Sequence, residues 1–203
     1  MDSGLNPARY RLWAPIYDRF IDRPSIRSSR RKEMQMADLK PGDRVLLVGV
    51  GTGEDLPFLP DHVKVVAIDI TPEMMVRSSD KSRPPQTDLA VMDAEALAFQ
   101  DLAFDVVIMN LILTVADHPK IALTEALRVM KKGGRMMIFD KFLGSDEPHP
   151  RLFRLMDRVA KIIATSLTVS FEDLMEGQPV TVLSNIPSDF LSRFRIIALI
   201  KDE

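Results

Sequence analysis

The sequence predicts an α/β protein in which helices cover both faces of a doubly wound sheet of seven strands, mostly parallel. First, Val-rich and Ile-rich runs alternate with helical segments along the chain. Second, these runs are apolar on both faces, as the strands of a covered parallel sheet are. Third, the last two runs lie too close together for a parallel crossover, so we expect an antiparallel hairpin at the sheet edge.

Five predicted strands occupy the first part of the chain, and each is bounded by turn residues. They span residues 44–50, 64–70, 88–94, 104–112 and 134–142. A helix is expected behind the first strand, near Gly53. After the second strand, Thr71 as N-cap and Pro72 as the first helical residue predict a helix start. The helix after the fourth strand is predicted to end with Lys131 and Lys132 in its last turn.

Beyond residue 142 the pattern changes. A helical stretch is predicted near 148–166, and the two strands of the edge hairpin follow at "PVTVLSN" and "FRIIALIK". We expect one domain over residues 1–203, because 203 residues with 46% hydrophobic content are enough for a full core.

Composition argues against several classes of site. The chain has no cysteine and only three scattered histidines, so we expect no metal site. No apolar run approaches the roughly 18 residues of a membrane span and the N-terminus lacks a signal-peptide core, so we expect a cytoplasmic protein. The net charge of −2 argues against nucleic-acid binding. Residues 1–32 are nevertheless basic, since eight Lys or Arg against three Asp give +5.

The turn after the first strand is built from three alternate glycines, Gly49, Gly51 and Gly53. Glycines in such a turn allow positive φ angles and close approach of a ligand to the backbone. A dinucleotide fingerprint would have a third glycine where this chain has Glu54, and a carboxylate there would repel a pyrophosphate. The turn therefore predicts a nucleoside ligand without phosphate.

Two acidic residues at neighbouring strand ends extend this prediction. Asp69 ends the second strand 20 residues after Gly49, the spacing at which a carboxylate accepts hydrogen bonds from ribose hydroxyls. Asp93 ends the third strand and should point into the same crevice, near the edge of an adenine. The three features together indicate an adenosine with a polar tail that is not a phosphate, and S-adenosyl-L-methionine is the candidate cofactor.

Four segments, "VLLVGVGTG", "VVAIDITPEMM", "VMDAEALAFQDLAFDVVIMN" and "EALRVMKKGGRMMIFD", resemble the successive motifs of class I S-adenosylmethionine-dependent methyltransferases. The resemblance covers about residues 40 to 142 and implies a Rossmann-like fold with the cofactor site in residues 41–142. It implies that the three glycines pack on the methionine moiety, that Asp69 binds the ribose and that Asp93 with Ala94 recognises the adenine. Ile70 and Asn110 are assigned to the same cofactor site.

Leu47 departs from the family pattern. The resemblance implies an acidic residue two positions before the first glycine, where it helps to hold the ammonium group of the cofactor, and this chain has Leu47. Either Glu54 or Asp55 is expected to supply that charge, or cofactor binding is weak. A non-catalytic S-adenosylmethionine-binding module is therefore one of the alternative functions.

Substrate clues are expected in residues 1–40 and 143–203. The N-terminal segment combines Tyr10, Trp13 and Tyr17 with many arginines, which is typical of a segment at a membrane surface and equally of a lid over the cofactor. Residues 151–161 place four basic side chains on one face of a predicted amphipathic helix. This face is expected either to contact a membrane surface or an anionic substrate, or to lie in solvent while the helix packs on the domain. Peripheral contact with an anionic membrane is thus expected through residues 9–32 and 151–161, on the inner face.

"GVGTGEDLPFLP", "YRLWAPIYD" and "ADHPKIALTEALRVMKKGG" resemble bacterial phosphatidylethanolamine N-methyltransferases, with ubiquinone and menaquinone methyltransferases as more distant relatives. This resemblance implies an amphiphilic acceptor, the amine of phosphatidylethanolamine, and a membrane-binding N-terminal segment. The alternative acceptor is a soluble small molecule or a quinone precursor. A primary amine must lose a proton before methylation, and the candidates to position the amine or accept the proton are Asn110, His118, Asp140 and Tyr17.

Overall fold

The computed structural model describes residues 24–142, 169–188 and 194–203, and shows a seven-stranded sheet in the order β3-β2-β1-β4-β5-β7-β6. Its strands are β1 (Arg44–Val48), β2 (Lys64–Asp69), β3 (Thr87–Val91), β4 (Phe104–Asn110), β5 (Met130–Lys141), β6 (Val180–Pro187) and β7 (Phe194–Lys201). The helices are α1 (Pro24–Met36), α2 (Pro72–Ser79), α3 (Pro119–Val129) and α4 (Phe171–Met175).

The strand directions confirm the predicted sheet. Strands β1 to β5 pair in parallel, whereas β7 is antiparallel to both β5 and β6. The edge hairpin is therefore present, with β7 inside the sheet and β6 at its edge. The order reverses beside β1, because the chain runs outward from β1 to β3 and then returns to β4 on the other side. In such sheets this reversal leaves a crevice at the carboxyl ends of the strands.

The core lies in two layers, one on each face of the sheet. Val45 and Leu47 of β1 face the layer that contains Ile26 and Met34 of α1, and both strand residues are at most 1% exposed. Leu46 and Val48 face the other layer, with the buried side of α3. Alternation along β1 thus fills both layers, which explains why this strand is apolar at each position from Val45 to Val48.

Two predicted helix boundaries need correction. α3 ends at Val129, so Lys131 and Lys132 lie in β5 and not in the last turn of the helix. The reason is Met130, which is fully buried, takes an extended conformation and pairs with Phe104 of β4.

Behind the glycine turn only a short 3-10 helix, Leu56–Phe58, forms in place of the predicted helix. Pro60 disfavours the helical conformation at the residue before it, and Leu59 is indeed extended, with φ −79° and ψ 138°. The start of α2 agrees with prediction. Thr71 is its N-cap and Pro72 its first residue, although the Thr71 side chain makes no capping hydrogen bond.

Several sequence predictions fall on residues outside the described part of the chain: Tyr17, most of the basic segment 9–32, the helical stretch near 148–166 and its basic face 151–161. Within the described residues, every helix is too short or too polar to cross a membrane.

Candidate active site

The carboxyl ends of β1 to β4 surround an open cavity with about 940 Å³ of empty space, its mouth included. Apolar side chains, among them Met74, Ile112 and Val115, form part of its wall. Seven of the residues that the sequence assigned to cofactor binding line it: Gly49, Gly51, Asp69, Ile70, Asp93, Ala94 and Asn110. The topology thus brings most of the predicted cofactor residues to one place.

Asp69 fixes the shape of the glycine turn. One of its carboxylate oxygens accepts a hydrogen bond from the Gly51 N–H and the other from the Thr71 N–H, each at 2.9 Å. Burial raises the pKa of this carboxyl, and the two backbone donors act in the opposite direction. Each oxygen can accept a further bond, so Asp69 can hold the turn and bind ribose hydroxyls at once.

The three glycines have different environments. A Cβ on Gly49 would lie 2.9 Å from Ile112 Cδ1, whereas a Cβ on Gly51 would meet no atom within 4 Å. Gly53, which the sequence grouped with them, lies outside the cavity lining: a Cβ there would lie 3.0 Å from the Ser78 Cα of α2. Gly51 therefore leaves the backbone open to a ligand, and Gly53 allows the turn to pack on α2.

At the other end of the cavity, Asp93 and Ala94 follow β3. Asp93 Oδ1 accepts a hydrogen bond from the Glu95 N–H at 2.8 Å, which turns the chain. The Glu95 carboxylate accepts from the backbone N–H of His118 at 2.7 Å and lies 2.8 Å from His118 Nδ1.

His118 lies outside the cavity lining, at the N-cap of α3, with a side chain 66% exposed. The hydrogen bond and the charge of Glu95 raise the pKa of His118. A raised pKa favours the protonated imidazolium, which cannot accept a further proton, and the position of His118 outside the lining keeps it away from the enclosed space.

Asp140 also lies away from the cavity, contrary to the expectation that it points into the crevice. It is fully buried, and its carboxylate accepts hydrogen bonds from Thr114 Oγ1 at 2.7 Å and from the Lys141 N–H at 2.8 Å. Burial raises the pKa of Asp140, while Thr114 and Lys141 act against that rise. Its contacts tie the segment after β4 to β5.

A buried polar cluster lies where α1 meets the carboxyl end of β4. Asn110 Nδ2 donates to Glu33 Oε2 at 2.8 Å and to Asp55 Oδ1 at 2.9 Å, and its Oδ1 accepts from the Phe139 N–H at 3.2 Å. Arg30 forms an ion pair with Asp55, and the two side chains are only 5% and 4% exposed. Arg30, Asp55 and Asn110 all line the cavity.

Sequence reasoning missed Arg30 and Glu33, because a dense run of arginines suggested a solvated or membrane-facing segment. The signal was present in their spacing. Arg30 and Glu33 fall in the same helical stripe as Ile26, Met34 and Ala37, all of which are buried. Arg30 must therefore be removed from the residues of 9–32 that are expected to face a membrane.

Glu33 is the most perturbed acid in the cluster. Burial raises its pKa to about 8, with a further contribution from the nearby Asp55, whereas Asn110 and Arg30 lower it. Its Oε1 makes no hydrogen bond with any described residue. Glu33 is therefore expected to hold a proton at neutral pH.

The cavity fits S-adenosylmethionine. Asp69 and Asp93 offer carboxylate oxygens for a ribose and an adenine amine, the turn at Gly51 is uncovered, and the apolar wall suits an adenine ring. Leu47 lies outside this lining and is 1% exposed in the core, so the charge at the tail end must come from elsewhere. No group of three or more metal-binding side chains occurs within residues 24–142, 169–188 and 194–203.

Comparisons with known proteins identify the family of the chain. A family model described as a methyltransferase domain matches residues 46–138. A phosphatidylethanolamine N-methyltransferase of Cereibacter sphaeroides is 31% identical over 182 residues, which are 88% of this chain and 88% of the relative. A demethylmenaquinone methyltransferase of Renibacterium salmoninarum is 38% identical over 129 residues, 62% of this chain and 54% of the relative.

The fold also recurs in solved structures. A SAM-dependent methyltransferase from Aquifex aeolicus superposes with a TM-score of 0.62 at 21% identity, over 97% of this chain and 99% of the other. At 21% identity this similarity shows a shared fold. The family assignment rests on the sequence relatives. The chain belongs to the class I S-adenosylmethionine-dependent methyltransferases.

Proposed function

We propose that this methyltransferase methylates the amine of phosphatidylethanolamine. The observation that carries the proposal is the extent of the match to the Cereibacter sphaeroides relative, which includes 88% of both chains. The match to the demethylmenaquinone methyltransferase is closer in identity but covers only 62% of this chain. Methyltransferases share the cofactor half and differ in what covers it, so similarity beyond that half bears on the acceptor.

The charge on α1 supports a lipid acceptor. Arg27, Arg31 and Lys32 are exposed, whereas Arg30 and Glu33 point into the protein. The helix therefore presents basic side chains on its outer face, directly after the aromatic and basic segment that precedes residue 24. Anionic lipid attracts such a surface, which supports a peripheral location on the inner face of the membrane.

The residues of the cavity have separate tasks in this proposal. When bound, S-adenosylmethionine supplies an electrophilic methyl group on its sulfonium. Asp69 would hold the ribose, and Asp93 with Ala94 would hold the adenine. The backbone of the turn at Gly51 would contact the amino-acid tail of the cofactor. Ile112 and Val115 exclude water on one wall, so that most of the rate gain can come from holding the amine in line in a dry space.

Of the four residues predicted to position the amine or accept its proton, Asn110 lines the cavity. His118 and Asp140 are not among the residues that line the cavity. Tyr17, outside the described residues, stays a prediction for positioning the amine. A loss of less than tenfold in kcat on Tyr17→Phe would remove it from the mechanism.

The acceptor assay uses vesicles of phosphatidylglycerol with either phosphatidylethanolamine or phosphatidylcholine, S-adenosylmethionine with a labelled methyl group, and analysis of the extracted lipid. We expect labelled monomethyl phosphatidylethanolamine in the first vesicles and no labelled lipid in the second. Vesicles that carry a demethylated menaquinone in place of phosphatidylethanolamine test the alternative acceptor. Label on the quinone and none on phosphatidylethanolamine would overturn the proposal.

A further inference from the structure

We propose that Arg30 and Asp55 bind the two charged groups of the cofactor's amino-acid tail, with Asp55 on the ammonium and Arg30 on the carboxylate. The inference rests on cofactor binding in the described cavity and is independent of the methyl acceptor. It assigns a cofactor contact to α1, a helix that the sequence placed in the lid.

The chemistry of the tail sets the requirement. S-adenosylmethionine ends in an α-amino acid, and a zwitterion that leaves water must meet one anion and one cation close together. The acid expected at the end of β1 is replaced by Leu47, which is 1% exposed and packs in the core layer under α1. The partners of the tail must therefore come from other elements of this chain.

Arg30 meets the need for a cation. Among the described residues that line the cavity, it is the only one with a positive charge. Its side chain is 5% exposed, so solvent screens it little and its field acts on whatever enters the cavity. A guanidinium also presents parallel N–H donors that match the two oxygens of a carboxylate.

Asp55 meets the need for an anion better than Glu54. The Asp55 side chain is 4% exposed and is oriented by Asn110 Nδ2 at 2.9 Å. Glu54 already forms an ion pair with Lys81 at 2.6 Å, and its side chain is 25% exposed. The other acids of the lining lie at the ends of β2 and β3, where the ribose and the adenine are expected.

The ion pair between Arg30 and Asp55 balances the charge of the cavity before the tail enters. An incoming ammonium and carboxylate turn this one pair into an alternating set of four charges, so each buried charge keeps an opposite neighbour. Because Arg30 belongs to α1, the bound tail would also hold this helix against the domain.

The test measures affinity by isothermal titration with two ligands that share the adenosine and the sulfur. S-adenosylhomocysteine carries the amino-acid tail, and 5′-methylthioadenosine lacks it. Arg30→Met and Asp55→Asn should each weaken S-adenosylhomocysteine binding by about tenfold or more and leave 5′-methylthioadenosine binding within about twofold of the unmodified protein. Lys32→Met, which removes an exposed charge two residues along the same helix, should change neither affinity.

A third ligand, S-adenosylhomocysteine without its carboxyl group, separates the two assignments. Asp55→Asn should weaken its binding, and Arg30→Met should not. If a single substitution prevents folding, recognised by loss of the cooperative thermal unfolding transition, the double variant Arg30→Gln/Asp55→Asn removes both charges together. It should bind S-adenosylhomocysteine and 5′-methylthioadenosine with nearly equal affinity.

Three results would overturn the inference: equal losses for both ligands on Arg30→Met, no loss for either, or a selective loss on Glu54→Gln with Asp55→Asn unaffected. The titrations contain no lipid, so they remain interpretable if phosphatidylethanolamine is not the acceptor. Conversely, a confirmed tail site with no labelled lipid would refute the proposed acceptor alone.

Discussion

Replacing Glu33 by glutamine should make the protein more stable at alkaline pH and leave its stability nearly unchanged at pH 5. Glu33 is fully buried, and its Oε2 accepts a hydrogen bond from Asn110 Nδ2. Glutamine keeps an oxygen acceptor at this place and cannot ionise. The substitution therefore removes a titration while it retains the contact.

The size of the effect follows from the pKa. Burial raises the pKa of Glu33 from 4.5 to about 8. The folded protein then holds a proton that the unfolded chain releases, so the free energy of unfolding falls as pH rises from 4.5 to about 8. A difference of about 3.5 pKa units corresponds to about 5 kcal/mol above pH 8, at roughly 1.4 kcal/mol per unit.

Urea denaturation of both proteins at pH 5, 7 and 9 measures this effect. The difference between the variant and the unmodified protein cancels the other titrating groups. It should be near zero at pH 5 and reach a few kcal/mol in favour of Glu33→Gln at pH 9. A difference that is the same at pH 5 and pH 9 would refute the burial argument, as would a larger loss of stability by the variant at high pH.

Three further substitutions test separate parts of the site. Gly53→Ala should lower the free energy of unfolding by about 1–3 kcal/mol, because φ is +85° and the new Cβ would lie 3.0 Å from Ser78 Cα. The control Gly42→Ala, with φ +86° and no atom within 4 Å of the Cβ, should lower it less. Equal losses of stability in the two variants would contradict the argument that Gly53 is needed for packing on α2. Asp69→Ala should weaken S-adenosylhomocysteine binding by about tenfold or more in a titration; unchanged affinity would place the ribose elsewhere. Asp140→Asn should lower Tm and keep kcat within tenfold, and a larger loss of kcat at unchanged Tm would return this residue to catalysis.

The sequence was sufficient to predict the sheet, because a strand that is covered on both faces needs a run of successive apolar residues. Val45 and Leu47 pack on one face and Leu46 and Val48 on the other, so all four must be apolar. The position of the cavity followed from the same topology, since Asp69 ends β2 at the carboxyl edge of the sheet, beside β1, where the strand order reverses.

Other features depended on packing that a linear pattern does not specify. Asp140 was expected in the crevice, but it is buried outside the cavity lining, where its carboxylate accepts a hydrogen bond from the buried Thr114 hydroxyl. Lys131 was expected in a helix, and burial of Met130 against β4 ends that helix earlier. Charge alone could not show that Arg30 turns inward, because its partner Asp55 lies 25 residues further along the chain.

The crystal structure of the protein with S-adenosylhomocysteine would test the account most directly. We predict the ribose hydroxyls on Asp69, the adenine beside Asp93 and Ala94, and the tail between Arg30 and Asp55. A tail that faces Glu54, or a ligand bound outside the cavity at the carboxyl ends of β1 to β4, would contradict the account.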